Sequence, residues 1–310
     1  IKGMYQAGDA RQTRRRPMKK RLLSFLFTGS LLLMLLPTAA FAEDTEALSG
    51  GEISLTNGNI STYVNSDLGG AYVLSDDITV ENGFLKFSGT ASLDLNGHTL
   101  TFNAPAKTQV PFGSDGSYYV LHAGIVVSGT MTLTDSSEDH RGTLDVRGTG
   151  NTGVLVTQNA NFTMEGGTIT NSTPDNNRGY GLAVFDAPAT MTGGKITGEK
   201  YCGVWTIASS STPSSFTMGG NAVISDCGTG IDYGSSQGGG ICITNNCNLT
   251  INGGTITNCA ANKGGGVYFG GDTFTMSGGS ITNCKAGNGC GVYLKRNSGT
   301  FTMNGGSITN

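Results

Sequence analysis

The chain has 310 residues, a formal net charge of −3 and a charged fraction of only 13%, roughly half the customary share. Its 50 glycines show no Gly-X-Y period, which excludes collagen. An apolar share of 37% is too large for a disordered chain and small for a conventional core.

Residues 1–17 begin with Ile1 and hold Arg14, Arg15 and Arg16; they read as lying upstream of the true start. Met18 opens "MKKRLLSFLFTGSLLLMLLPTAAFAEDTEA", with Lys19, Lys20 and Arg21 ahead of the apolar run Leu22 to Leu36. Ala40-Phe41-Ala42 is a small-x-small cleavage site, so Met18–Ala42 is expected to be a secretory signal peptide and Glu43 the first mature residue. Residues 1–42 carry eight Lys/Arg and one Asp; without them 11 basic and 21 acidic residues remain, a net charge of −10. No basic patch is left to neutralise phosphates, so no nucleic-acid partner is expected. No second long apolar run follows, and membrane attachment would need a C-terminal anchor beyond this sequence.

Residues 43–68 are expected to form an N-terminal cap or linker, and 69–160 a set of irregular coils. These include "LDLNGHTLTF" (Leu93–Phe102), "GIVVSGTMTLTD" (Gly124–Asp135) and "GTLDVRG" (Gly142–Gly148). From residue 161 to 310 the chain repeats itself. "FTMEGGTITN" at Phe162 returns as "ATMTGGKITG" at Ala189 and "FTMGGNAVISD" at Phe216. "LTINGGTITN" at Leu249, "FTMSGGSITN" at Phe274 and "FTMNGGSITN" at Phe301 follow. The steps are 27, 27, 33, 25 and 27 residues. A second phrase lies between: "CGVWTI" at Cys202, "GGICIT" at Gly239, "GGVYFG" at Gly265 and "CGVYLK" at Cys290.

Each phrase alternates with period two, as strands do. Phe274 and Met276 share a face, Ile281 stands alone on its own, and Val292 and Leu294 share a third. Each repeat therefore holds three short strands joined at Gly, Asn and Ser corners. One such coil buries too little apolar surface to offset the entropy of ordering it. Stacked coils share one core and pair their backbones, which is the logic of a solenoid. The predicted fold is an all-β, right-handed, single-stranded parallel β-helix of about nine coils with about three strands per coil. Stacking then predicts columns: Phe162, Ala189, Phe216, Leu249, Phe274 and Phe301; Met164, Met191, Met218, Ile251, Met276 and Met303; and Ile169, Ile196, Ile224, Ile256, Ile281 and Ile308. A corner column would run through Asn171, Gly198, Asp226, Asn258, Asn283 and Asn310 in left-handed conformations.

These repeats resemble bacterial secreted right-handed parallel β-helix proteins of the pectate-lyase-like fold, and more narrowly the adhesin-like cell-surface type built from "GGxIT…GGGVY…FTM" coils. "GGGI" at Gly238–Ile241 and "FTMN" at Phe301–Asn304 also resemble short motifs of polymorphic autotransporters. The resemblance implies a secreted or cell-surface monomer. It would act as an adhesin-like binding or stalk module whose partner is a glycan or a surface protein of a host or neighbouring cell. Because the chain stops inside a coil, it reads as part of a longer protein.

The same fold also hosts polysaccharide lyases and glycoside hydrolases of acidic, plant or mucosal glycans. Under that alternative the candidates are Asp135, Asp139, His140 and Arg141 in "TDSSEDHRG", with Ca²⁺ as a conceivable cofactor and Asp76 and Asp77 as a weak metal pair. A solvated turn explains the same residues. Neither Asn-Thr-Asp nor Arg-Ile-Lys occurs, and "GHT" at Gly97–Thr99 only superficially resembles the polygalacturonase Gly-His-Gly. His98, His122 and His140 lack metal-ligand spacing. No cofactor is otherwise expected.

Candidates for a binding face are Tyr268 and Tyr293, which share a register, and the outward hydroxyls Thr255, Thr257, Thr282 and Thr309. Stacked tyrosines also stabilise sheets, and threonine is a good exposed strand residue. All seven cysteines follow residue 200. Cys227, Cys259 and Cys284 should stack, either as buried thiols or with one disulfide between rungs.

Overall fold

The Phe-Thr-Met phrases lie in register, one above the next. The computed structural model describes residues 51–111, 118–148, 150–173, 179–209, 212–228 and 236–309. Phe162 pairs with Ala189, Ala189 with Phe216, Phe216 with Leu249, Leu249 with Phe274, and Phe274 with Phe301. The Met and Ile columns run as the periodicity predicts. The Ile column continues backward through Leu144 and Leu100 to Ile78. The signal peptide lies outside the described residues, as do residues 43–50 of the expected cap. Among the described residues no helix is long and apolar enough to cross a membrane.

Two sheets carry the fold, one of 18 strands and one of nine. The first takes two strands from each full turn and the second takes one. One turn thus runs Thr255–Thr257, Val267–Phe269, Thr273–Met276 and back to Ser280–Thr282. This is a parallel β-helix with three strands per coil. A short extra pair, Ala260–Lys263 with Lys285–Asn288, forms a third sheet. Among the described residues the only antiparallel pairing joins Lys107–Pro111 to the first half of Tyr118–Val127.

The corners follow expectation in four coils. Gly198, Asp226, Asn258 and Asn283 have φ of 77°, 57°, 57° and 54°. A short amide or carboxylate side chain tolerates that left-handed backbone. Asn171 departs from the column: it is not left-handed, and its Nδ2 donates to Gly148 O at 3.0 Å while its Oδ1 accepts from Thr173 N at 3.1 Å. The neighbouring Ser172 N donates to the Asp145 carboxylate at 2.9 Å, so this corner is pulled onto the preceding coil. Asn310 lies outside the described residues.

Glycine abundance has a packing cause. The Gly at the second position of each "GG/CG" phrase, continued backward by Gly181 and Gly153, forms a column facing the Ile column across the interior. A Cβ added at Gly153, Gly181, Gly203, Gly240, Gly266 or Gly291 would sit 2.3–2.8 Å from an isoleucine Cγ2. The two columns pack without space for another carbon, so a small residue in one sheet matches a branched residue in the other.

Among the described residues three buried hydroxyls, of Thr108, Thr152 and Thr206, have no hydrogen-bond partner, and the last stands within the interior columns. Thr206 lies in register between Val184 and Ile243, fully buried, and its Oγ1 has no hydrogen-bond partner. Thr206→Val removes an unsatisfied polar group while keeping the shape, and is expected to raise unfolding free energy by about 1 kcal/mol. Urea denaturation measures this; an unchanged or lower midpoint would contradict it.

A second apolar cluster lies outside the helix, on the outer face of the larger sheet. Val126, Leu155, Ala183 and Trp205 stand in one outward column. The antiparallel hairpin lays Val110 and Leu121 over this column, together with Phe185 and Ile207. The sequence reading did not foresee this cover. Its signal was present, because "GIVV" and "YGLAVF" are apolar at both parities, as in strands buried on two faces.

Candidate binding site

The "TDSSEDHRG" loop divides into two pairs. Asp135 and His140 line a groove of about 520 Å³ that opens at the Gly-Gly corners of successive coils. Glu165, Thr192, Lys195 and Asn221 line it too. Asp139 and Arg141 do not; they form an exposed ion pair with each other.

Within the groove Asp135 is a structural carboxylate by its contacts. It accepts from Gly97 N at 2.8 Å, from Ser137 Oγ at 2.7 Å and from Gly142 N at 2.7 Å. Burial pushes its pKa up, but the bonds from Ser137, Gly97 and Gly142 outweigh burial and hold it below the usual carboxylate value. The Gly97 bond spans 38 residues and ties one coil to the next. His140 adopts φ of 50°, with Nδ1 3.4 Å from the Asp135 carbonyl oxygen.

Glu165 and Lys195 were not singled out as site residues. Each breaks its column: Glu165 stands where Thr192, Gly219, Asn252 and Ser277 stand in other coils, and Lys195 falls in a hydroxyl column between Thr168 and Val223. Glu165 is solvent-exposed and Lys195 partly so. The groove therefore gathers Asp135, Glu165 and Lys195 from three successive coils, with Glu165 the carboxylate facing solvent.

Asp76 and Asp77 lie at a turn apart from this groove, both exposed. Asp77 Oδ1 accepts from Thr99 N at 2.8 Å and lies 3.5 Å from His98 Nδ1. Among the described residues no group of three or more His, Cys, Asp or Glu is arranged to hold a metal ion.

The tyrosine pair is stacked. The Tyr268 and Tyr293 ring centroids are 5.5 Å apart with an interplanar angle of 11°. The two differ in access, however. Tyr268 is only 5% exposed, clustered with Cys202 and Cys242, whereas Tyr293 is partly exposed. Lys263 Nζ stands 5.5 Å from the Tyr293 centroid, a cation–π distance. In the same outward column Trp205 stacks on Tyr180 at 4.7 Å and 21°, with Tyr119 of the hairpin edge-on to it at 5.3 Å. The outward column thus holds two aromatic groups separated by Cys242: Trp205 with Tyr180 beside the hairpin, and Tyr268 with Tyr293. Trp205 holds the same place in its phrase as the two tyrosines, whereas Tyr119 and Tyr180 come from outside the phrases and were missed from sequence.

The hydroxyl face is as the register implies. Thr257, Thr282 and Thr309 follow one another, and Ser280 Oγ donates to Thr255 Oγ1 at 3.2 Å. Thr309 Oγ1 donates to Thr282 Oγ1 at 3.4 Å. Rung-to-rung hydroxyl bonds consume donors that a ligand would otherwise use. Lys195 and Val223 interrupt the column beside it.

No protein family, curated protein or solved structure matches this chain.

Proposed function

We propose that the chain is an adhesin-like β-helix of the secreted or cell-surface type, a stalk whose outer sheet face binds glycans or a surface protein of a host or neighbouring cell. The observation that carries this reading is the outward Tyr268–Tyr293 stack, whose partly exposed member Tyr293 is flanked by Lys263. An aromatic ring beside a cationic donor suits the apolar face and hydroxyl rim of a sugar. The repeat phrases resembling adhesin-like coils and the signal-peptide pattern support the surface location. The test is a glycan array followed by calorimetry on any hit. Tyr293→Ala should weaken binding about tenfold or more, with the fold unchanged by circular dichroism. Binding that survives this substitution would remove Tyr293 from the site.

A second reading is favoured by the groove alone: a polysaccharide lyase or glycoside hydrolase. Glu165 is the carboxylate free to move a proton, and Lys195 is placed to balance an acidic sugar or a developing negative charge. Asp135 would orient the loop rather than react. Incubation with acidic and neutral polysaccharides, with and without Ca²⁺, separates the readings. Unsaturated products or new reducing ends that disappear in Glu165→Gln would establish the enzyme; their absence across the panel leaves the binding module.

A further inference from the structure

We propose that Cys227, Cys259 and Cys284 form a three-thiol column that takes one disulfide, with Cys259 as the obligatory partner. The oxidised chain then carries either Cys227–Cys259 or Cys259–Cys284, and one thiol of the three always remains.

The three residues occupy the same corner of successive coils, each following a left-handed residue, Asp226, Asn258 or Asn283. Ala260 N donates to Cys227 O at 2.9 Å and Lys285 N to Cys259 O at 2.8 Å, which places neighbouring cysteines one rung apart. Each thiol donates to the carbonyl two residues before it, at 3.1, 3.3 and 3.3 Å, so all three point the same way. Cys259 thus stands between Cys227 and Cys284, one rung from each. None of the seven cysteines is joined in a disulfide in this structure.

One rung of about 4.8 Å lies inside the Cα separation a disulfide accepts. Two rungs, about 9.6 Å, lie beyond it, so Cys227 and Cys284 are not partners without Cys259. Cys202 and Cys290 share another column, but Gly239 and Gly265 stand on the rungs between them.

The oxidant is a small-molecule disulfide. A column thiolate attacks one of its sulfurs and expels one thiolate, giving a mixed disulfide. A neighbouring column thiolate then displaces the second. The protein loses two electrons and two protons, and the oxidant becomes two thiols. The Cys227 thiol raises the pKa of Cys259 and the Cys259 thiol raises that of Cys284, with burial adding to both, so the reaction belongs to the opening or folding chain rather than the closed coil.

The experiment refolds the full chain from urea in a glutathione redox buffer, alkylates it, and maps peptides by mass spectrometry without reduction. The expected wild-type result is at most one column disulfide per molecule, always including Cys259. Cys227→Ser should retain Cys259–Cys284, Cys284→Ser should retain Cys227–Cys259, and Cys259→Ser or Cys259→Ala should show no bond between the remaining two. Reduction should lower the melting midpoint by roughly 5–10 °C. A Cys227–Cys284 bond, or wild-type protein with all three thiols alkylated at every glutathione ratio, overturns the proposal. The wild-type map decides it even if a variant fails to fold.

Discussion

Gly240→Ala should lower the unfolding free energy by about 3 kcal/mol, and shortening the side chain it strikes should restore part of that loss. Gly240 has no left-handed backbone requirement, so the effect is one of space alone. Its new Cβ would lie 2.6 Å from Gly266 O, 2.7 Å from Ile256 Cγ2 and 3.4 Å from Cys259 Sγ. The carbonyl belongs to the next coil, so relief would require prising apart two rungs. The isoleucine methyl can be removed. Ile256→Ala by itself should cost about 2–5 kcal/mol through the cavity it leaves. In the double variant the alanine methyl partly fills that cavity, and the two losses should fall short of additivity by at least about 1 kcal/mol. Urea unfolding of the four proteins gives the coupling energy. Additive losses would show that the Gly and Ile columns do not pack on one another.

Asp135→Ala should cost about 3 kcal/mol at neutral pH, because it strands the buried N–H of Gly142, the half-buried N–H of Gly97 and the Ser137 hydroxyl. The acid dependence has a definite sign. The folded-state pKa of Asp135 lies below the ordinary value of 3.8. Its contribution is therefore complete above 3.8 and is lost as pH falls through the lower folded value. Wild type should shed this increment in that acid range, and Asp135→Asn, already lacking it, should show a shallower acid limb. Denaturation midpoints measured from pH 7 down to about pH 2 test the prediction. If Asp135 instead transferred a proton to a polysaccharide, its substitution would abolish turnover and leave the midpoint unmoved.

The sites were legible to different degrees for physical reasons. Tyr268 and Tyr293 could be paired from sequence because equal steps in a stacked coil put equal phrases in register. That the ring of Tyr268 is covered could not be read, since its cover comes from Cys202 and Cys242 on other rungs. The loop from Asp135 to Arg141 was visible as the densest ionisable cluster. Its division was hidden, because only the folded backbone shows that Gly97 and Gly142 claim the Asp135 carboxylate while Asp139 and Arg141 claim each other. Glu165 and Lys195 were visible only as breaks in their columns.

The amino-acid sequence alone determined the stacked coil, its strands and its interior columns. Period-two alternation chooses which side chains point inward, and a constant repeat length superposes like residues, so both are local properties of the chain. Tertiary structure alone decided which outward residues meet. The hairpin over Trp205, the groove joining Glu165 to Lys195 and the left-over hydroxyl of Thr206 depend on contacts between different corners and coils. Those contacts are set by how each coil bends at its corners, and the spacing of the repeats carries no record of that.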